Sequence, residues 1–128
     1  MKTKIQLIDK ISNQVIYEGK ALIESNLSKE KLVFQDEERT YVWKVFEKGL
    51  IIETISEANV HLTLRQDHST QGHVRTDFGQ IDLQCRTTLY KIDKNYVEVV
   101  YELLQGKDSQ NFHFILYKMN EEELHEIH

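Results

Sequence analysis

Proline is absent from this 128-residue chain, and glycine occurs only five times, at Gly19, Gly49, Gly72, Gly79 and Gly106. The glycines stand far apart and form neither a GxGxxG nor a GxxxxGK pattern, so no phosphate-cradling loop is expected. Cys85 is the one cysteine and cannot make an internal disulfide. No apolar run reaches the ~20 residues a spanning helix requires, and the opening MKTKIQLIDKIS lacks the apolar core of a secretory signal. A cytoplasmic protein with no membrane association is therefore expected, in a compartment where thiols stay reduced. Basic residues are also in the minority. Sixteen Lys and Arg stand against 21 Asp and Glu, a formal charge of -5, and a field of that sign repels a phosphate backbone. No basic patch interleaved with aromatics offers a stacking platform, so no nucleic-acid partner is expected.

Helical spacing is missing almost everywhere, and what replaces it is alternation. Ile5 and Leu7 alternate with Lys4 and Gln6; Val15, Tyr17, Ala21 and Ile23 alternate with Glu18, Lys20 and Glu24. Period two sends apolar side chains to one face of an extended strand. The same signature runs through KLVFQDEE, YVWKVFEK, LIIETIS, Val60 to Leu64, Val74 to Phe78, GQIDLQCRTTLYKID, YVEVVYELL and NFHFILYKM. Polar punctuation separates them: SNQ, DEERT, DKN and QGKDSQ read as turns, and RQDHSTQG, the most polar connection, reads as a mobile loop. Only the tail NEEELHEIH has a helical spacing.

About eight to ten strands in one chain of this length predict a single all-β domain spanning residues 1–128. An antiparallel meander has to dispose of its edges, and closing into an up-and-down barrel does so with short local turns. A two-sheet sandwich is the alternative architecture, but its Greek-key crossings need longer connections.

Few residues suggest chemistry. A reactive Cys85 would need a cation, a helix N-terminus or a metal beside it. The strand register puts it on the face of Ile81 and Leu83 and turns Arg86 to the other, so a small core residue is the reading. Of the histidines, His61 and His73 alternate with apolar neighbours and should face solvent, and His125 and His128 fall in the solvated tail. None belongs to an HExxH or Cys/His metal pattern, so no metal site and no cofactor are expected. His113 lies on a strand apolar on both faces, with Phe112, Phe114 and Leu116 on one side and Ile115, Tyr117 and Met119 on the other. If the second side is interior, His113 is either a satisfied core histidine or a ligand contact. DEER and EEEL are charge runs of the solvated kind, and Trp43 alternates with Tyr41 and Val45 as a core face does.

The order of features in the last third, TDFGQIDLQCRTTLYKI followed by YVEVVYELLQGKDSQNFHFILYKM, resembles the YwiB-like family of small bacterial proteins. Phe78-Gly79, the alternating Ile81 and Leu83, and Thr87 carry the likeness most specifically, and VIYEGKALIES with KLVFQDEE extends it over the first half. The resemblance implies a calycin-like (lipocalin-like) antiparallel β-barrel. It carries over no catalytic residue.

No nucleophile, base and orienting group can be assembled, so a non-enzymatic protein is expected. The leading expectation is a binding module whose barrel accepts a small, partly apolar molecule. Tyr101, which shares a face with Val97, Val99 and Leu103, is a candidate lining residue together with His113 and Tyr117. The alternative is a protein-interaction partner acting through its acidic surface or a strand edge. Small-ligand pockets start at ~300 Å³, so an interior without such a void would exclude the first. Ligand identity and oligomeric state are not legible in the residues.

Overall fold

Asp9, at the end of one strand, and Asn26 and Asp36, each just after another, turn the chain by the same device. Their side-chain oxygens accept the backbone N–H groups two and three residues on: Ile11 and Ser12 for Asp9, Ser28 and Lys29 for Asn26, Glu38 and Arg39 for Asp36, at 2.8 to 3.3 Å. Short polar side chains thus do the work of proline, which explains how a proline-free chain reverses direction so often. Gly106, at φ +59°, reverses a later hairpin through a left-handed conformation open to glycine.

The computed structural model describes residues 1–119. They form ten strands: β1 Lys2–Asp9, β2 Gln14–Ser25, β3 Glu30–Gln35, β4 Thr40–Val45, β5 Gly49–Ile55, β6 Asn59–Arg65, β7 Ser69–Thr76, β8 Gly79–Ile92, β9 Tyr96–Gln105 and β10 Asp108–Met119. Each pairs antiparallel with its sequence neighbour, and β1 pairs with β10, from Lys4/Met119 to Asp9/Phe114, to close the barrel. The all-β up-and-down barrel expected from the alternation is the fold. The expected tail helix, with His125 and His128, lies outside the described residues.

Alternation decides what is inside. Leu32, Trp43, Ile52, Leu62, Gly72 and Leu83 are successive cross-strand partners from β3 to β8 and form one inward row. The glycine in that row is forced by space. A Cβ on Gly72 would stand 2.6 Å from Leu62 Cδ2, 2.8 Å from the His61 carbonyl oxygen and 3.2 Å from Cys85 Sγ. Ile5, Leu50, Leu64, Val97, Val99 and Leu116 complete a core with essentially no solvent contact. At ~25 cal/mol per Å², such burial is the main stabilising term.

Two register shifts bend the sheet. One falls between Leu7 and Ile8, where β1 meets β2; the other between Thr87 and Leu89, where β8 meets β9. Across the second the inward parity changes, from Cys85 and Thr87 before it to Tyr90 after it. The backbone around the shift serves another purpose. Asp67 N–H donates to the Thr87 carbonyl at 3.0 Å, and Thr87 N–H to the His68 carbonyl at 3.4 Å.

That contact corrects the reading of RQDHSTQG as a mobile loop. Its ends belong to β6 and β7, and the three connecting residues Gln66, Asp67 and His68 are tied to Lys48, Thr87 and Arg65 by backbone hydrogen bonds. Polarity here comes from a short connection packed across the barrel base, with Asp67 at φ 61°. Phe78 is corrected too. It sits in the tight β7–β8 turn and is fully exposed, instead of continuing the Val74–Thr76 alternation.

The same base carries an inward ion pair between Lys118 Nζ and Glu30 Oε1, and the Tyr90 hydroxyl donates to the Phe46 carbonyl at 2.6 Å. The opposite end, where the Asp9 and Asp36 turns lie, is the mouth.

Candidate functional site

Below the mouth the core is incompletely filled. A cavity of about 320 Å³ lies between apolar walls that include Leu7, Trp43, Ile52, Leu62, Val74 and Phe114. β2 and β3 pair only from Leu22/Val33 to Ser25/Glu30 and separate toward the mouth. Aromatic rings cover the separation: Tyr17 lies 4.8 Å from Phe34 between centroids, and Phe34 stacks on Tyr41 at 4.9 Å and 12°. On the far wall Tyr101 stacks on Phe112 at 5.1 Å and 16°.

The polar groups of this end are few, and most are already engaged. Tyr17 donates its hydroxyl to the Lys20 carbonyl at 2.6 Å, and Tyr41 donates to Asp36 Oδ2 at 3.3 Å. Backbone N–H groups of Glu38 and Arg39, with Tyr41, hold the Asp36 carboxyl below the usual carboxylate range. Tyr101 differs. It is 4 % exposed and lines the cavity, yet its hydroxyl has no hydrogen-bond partner among the described residues. Burial, followed by the neighbouring Cys85 thiol and Asp9, pushes its titration upward, so it stays a neutral donor. Arg39 and Asp9 are the charged side chains of the lining.

Of the three residues expected to line a site, the structure places only Tyr101 in the barrel. His113 points outward, where Nε2 lies 2.7 Å from Glu98 Oε2, and Tyr117 is also on the outer face, 38 % exposed. The interior side of β10 is that of Phe112, Phe114 and Leu116, because Tyr101, Val99 and Val97 on β9 are their cross-strand partners. Phenylalanine, leucine and valine bury without a partner for a polar atom, whereas His113 finds its partner at the surface.

Cys85 is fully buried, and burial raises its thiol to about 11. Arg86 Nη1 lies 3.6 Å from Glu102 on the outside, which leaves the sulfur without a cation. Leu83 shares its side, but Ile81 is 46 % exposed, because β8 pairs with β9 only from Gln84 onward. Thr87, two residues on, was not among the expected site residues. Its Oγ1 is buried without a partner among the described residues, and it faces Tyr101 across the β8–β9 pair. Its place on the Cys85 side of the alternation was the available signal.

His61 and His73 do lie outside, as cross-strand partners with rings stacked at 5.3 Å and 8°, and Glu53 Oε1 is 3.5 Å from His61 Nδ1. No group of three metal-ligating side chains converges among the described residues.

No protein-family model matches the chain, and none of the curated proteins does. Among solved structures, it is similar to the crystal structure of the ywiB protein from Bacillus subtilis, with 15 % identity and a TM-score of 0.61. The superposition covers 91 % of this chain and 86 % of that one. At this identity the likeness is one of fold, and the chain has a YwiB-like β-barrel fold.

Proposed function

We propose that the protein is a non-enzymatic binding module, calycin-like in its use of the barrel, that takes up a small, partly apolar molecule through the mouth. One observation carries the reading: an apolar cavity of about 320 Å³ lined by Tyr101, whose hydroxyl has no hydrogen-bond partner among the described residues. Small-ligand sites start at ~300 Å³ and combine apolar walls with a few placed polar groups. Tyr101 is such a group, and Trp43 and Phe112 are aromatic members of the lining.

The test is a native mass spectrum of protein purified from its own cells, joined to titration with an apolar fluorescent probe. A co-purifying small molecule, and probe uptake that Val74→Trp abolishes by filling the cavity, is the expected outcome. An empty protein that takes up no probe would overturn the reading.

A second reading, a protein-interaction partner acting through a strand edge, is favoured by one observation. β8 from Gly79 to Leu83 pairs with β7 but has no β9 partner, which leaves backbone groups on one side open to strand addition. An empty cavity together with a reproducible protein partner, lost on proline substitution of Asp82, would favour it.

A further inference from the structure

We infer that the guest is an amphipathic monocation, an apolar body with an ammonium head, and that Asp9 at the mouth binds the head. The inference rests on the cavity reading above. It follows from where the barrel places this carboxylate and how little of it the protein itself uses.

Asp9 ends β1 on the side of the buried Ile5 and Leu7, and its cross-strand partner on β10 is Phe114, so the half-buried carboxylate faces the cavity that both residues line. Its own turn uses one oxygen: Oδ1 accepts the N–H groups of Ile11 and Ser12 at 2.9 and 3.3 Å. Oδ2 has neither a hydrogen bond nor an ion pair among the described residues. The cation of the lining does not balance it, because Arg39 serves the Tyr41 hydroxyl and the Asp36 carboxylate of its own turn. A carboxylate set against apolar walls gives up solvation, and a charged hydrogen-bond donor on the guest replaces what is lost.

The rim favours the same sign. The turns that ring the mouth, 10–13, 36–39, 56–58, 77–78 and 106–107, hold five carboxylates against three cations, Lys10, Arg39 and Lys107, and a field of that sign draws cations and repels anions. Inside, the lining includes the aromatic residues Tyr41, Trp43, Tyr101, Phe112 and Phe114, and an ammonium is attracted to aromatic rings as well as to a carboxylate. Volume bounds the body of the guest. At ~30 Å³ for each water-sized group, 320 Å³ admits on the order of ten non-hydrogen atoms. Octylamine is of that size, and Trp43, the chain's single tryptophan, reports its entry by fluorescence.

The experiment titrates octylamine, octanol and octanoate into the whole protein at neutral pH, following Trp43 fluorescence and heat of binding, and repeats each with Asp9→Asn and Glu57→Gln. Asparagine removes the charge and keeps the turn, since Asn26 accepts the equivalent pair of N–H groups in its own turn. Octylamine should bind about tenfold more tightly than octanol, with octanoate weakest, as a charge-assisted hydrogen bond to a carboxylate requires. Asp9→Asn should remove that preference and leave octanol unchanged. Glu57→Gln, which takes an exposed charge of the same sign from the rim, should leave the preference in place. Octanol or octanoate binding as tightly as octylamine, or a preference that survives Asp9→Asn, would overturn the ammonium inference and leave the cavity reading standing. An equal loss in Glu57→Gln would overturn the assignment to Asp9 in favour of the rim field. If all three fail to bind, the cavity reading fails and takes the inference with it.

Discussion

Tyr101 and Phe112 face each other across β9 and β10 inside the barrel, with ring centroids 5.1 Å apart and planes 16° from parallel. The stack supplies both wall and stability, but the Tyr101 hydroxyl contributes no protein hydrogen bond among the described residues. Tyr101→Phe should therefore change stability by less than about 1 kcal/mol, because no bonded partner is orphaned. Phe112→Ala should cost about 2 kcal/mol, since it removes half of the stack from a partly buried site. Urea denaturation of the two variants checks the contrast, and a large loss in Tyr101→Phe would mean that its hydroxyl is bound within the protein.

Tyr90 is the opposite case. Its hydroxyl donates to the Phe46 carbonyl at 2.6 Å and fastens β8 to the connection after β4. Tyr90→Phe should cost about 1 to 2 kcal/mol by leaving that carbonyl without its donor. Equal stability of the Tyr90 and Tyr101 phenylalanine variants would contradict the assignment of their different surroundings.

Cys85 has no exposed surface, no neighbouring cation and a thiol raised to about 11, so it should be nearly inert. Labelling at pH 8 should run on the order of a hundredfold slower in the native protein than in denaturant, because the thiolate fraction is small and the sulfur is covered. Cys85→Ser should cost ~1 to 3 kcal/mol through a buried hydroxyl without a partner. Fast native labelling would reopen the case for a reactive thiol.

Gly72→Ala should destabilise the barrel by about 1 to 3 kcal/mol, the usual cost of a side chain added at a close backbone approach. Leu62 can rotate away from the new methyl, but the His61 carbonyl, 2.8 Å from it, belongs to the paired strand and cannot. Gly106→Asn is the control: nothing lies within 4 Å of its added Cβ, and asparagine tolerates a φ of +59°. Thermal melting that ranks Gly106→Asn below Gly72→Ala would refute the packing argument.

Alkaline pH should weaken the fold. Burial raises Cys85 to about 11 and pushes Tyr90 and Tyr101 upward as well, so the folded state holds these protons more tightly than the unfolded chain. The stability this represents is complete below the unfolded values, ~8.5 for cysteine and ~10 for tyrosine, and is lost as pH rises beyond them. Urea midpoints at pH 8 and pH 10.5 should fall with pH, and less so in Cys85→Ala. A midpoint unchanged between the two would contradict the burial of all three groups.

Alternation marked the strands well and was silent about which side of β10 is interior. Phe112, Phe114 and Leu116 are apolar, and so are Ile115 and Met119 on the other side, so hydrophobicity could not choose between them. The choice was made by β9, whose Val97, Val99 and Tyr101 pair with the first set and carry it inward. Parity alone leaves the side of His113 and Tyr117 open, and the pairing with β9 turns both outward. Ile81 shares the parity of Cys85, yet β8 outruns β9 and leaves it without cover, and Phe78 falls in the turn before β8. The register shift after Thr87 is equally invisible in a periodic pattern, because it serves the Asp67–Thr87 backbone contact between residues 20 positions apart.

By itself, the sequence determined that this chain is an antiparallel meander, since period-two alternation and Asp and Asn turns are local properties of the backbone and its nearest side chains. It also determined that Cys85 turns from Arg86, because adjacent residues of a strand project to opposite faces. Tertiary structure alone decided that the barrel keeps an apolar cavity below the mouth, while the Lys118–Glu30 ion pair and the Tyr90–Phe46 hydrogen bond stand at the base. That outcome depends on how side chains from nine strands meet inside the barrel, and such distances follow from long-range pairing that no local pattern records.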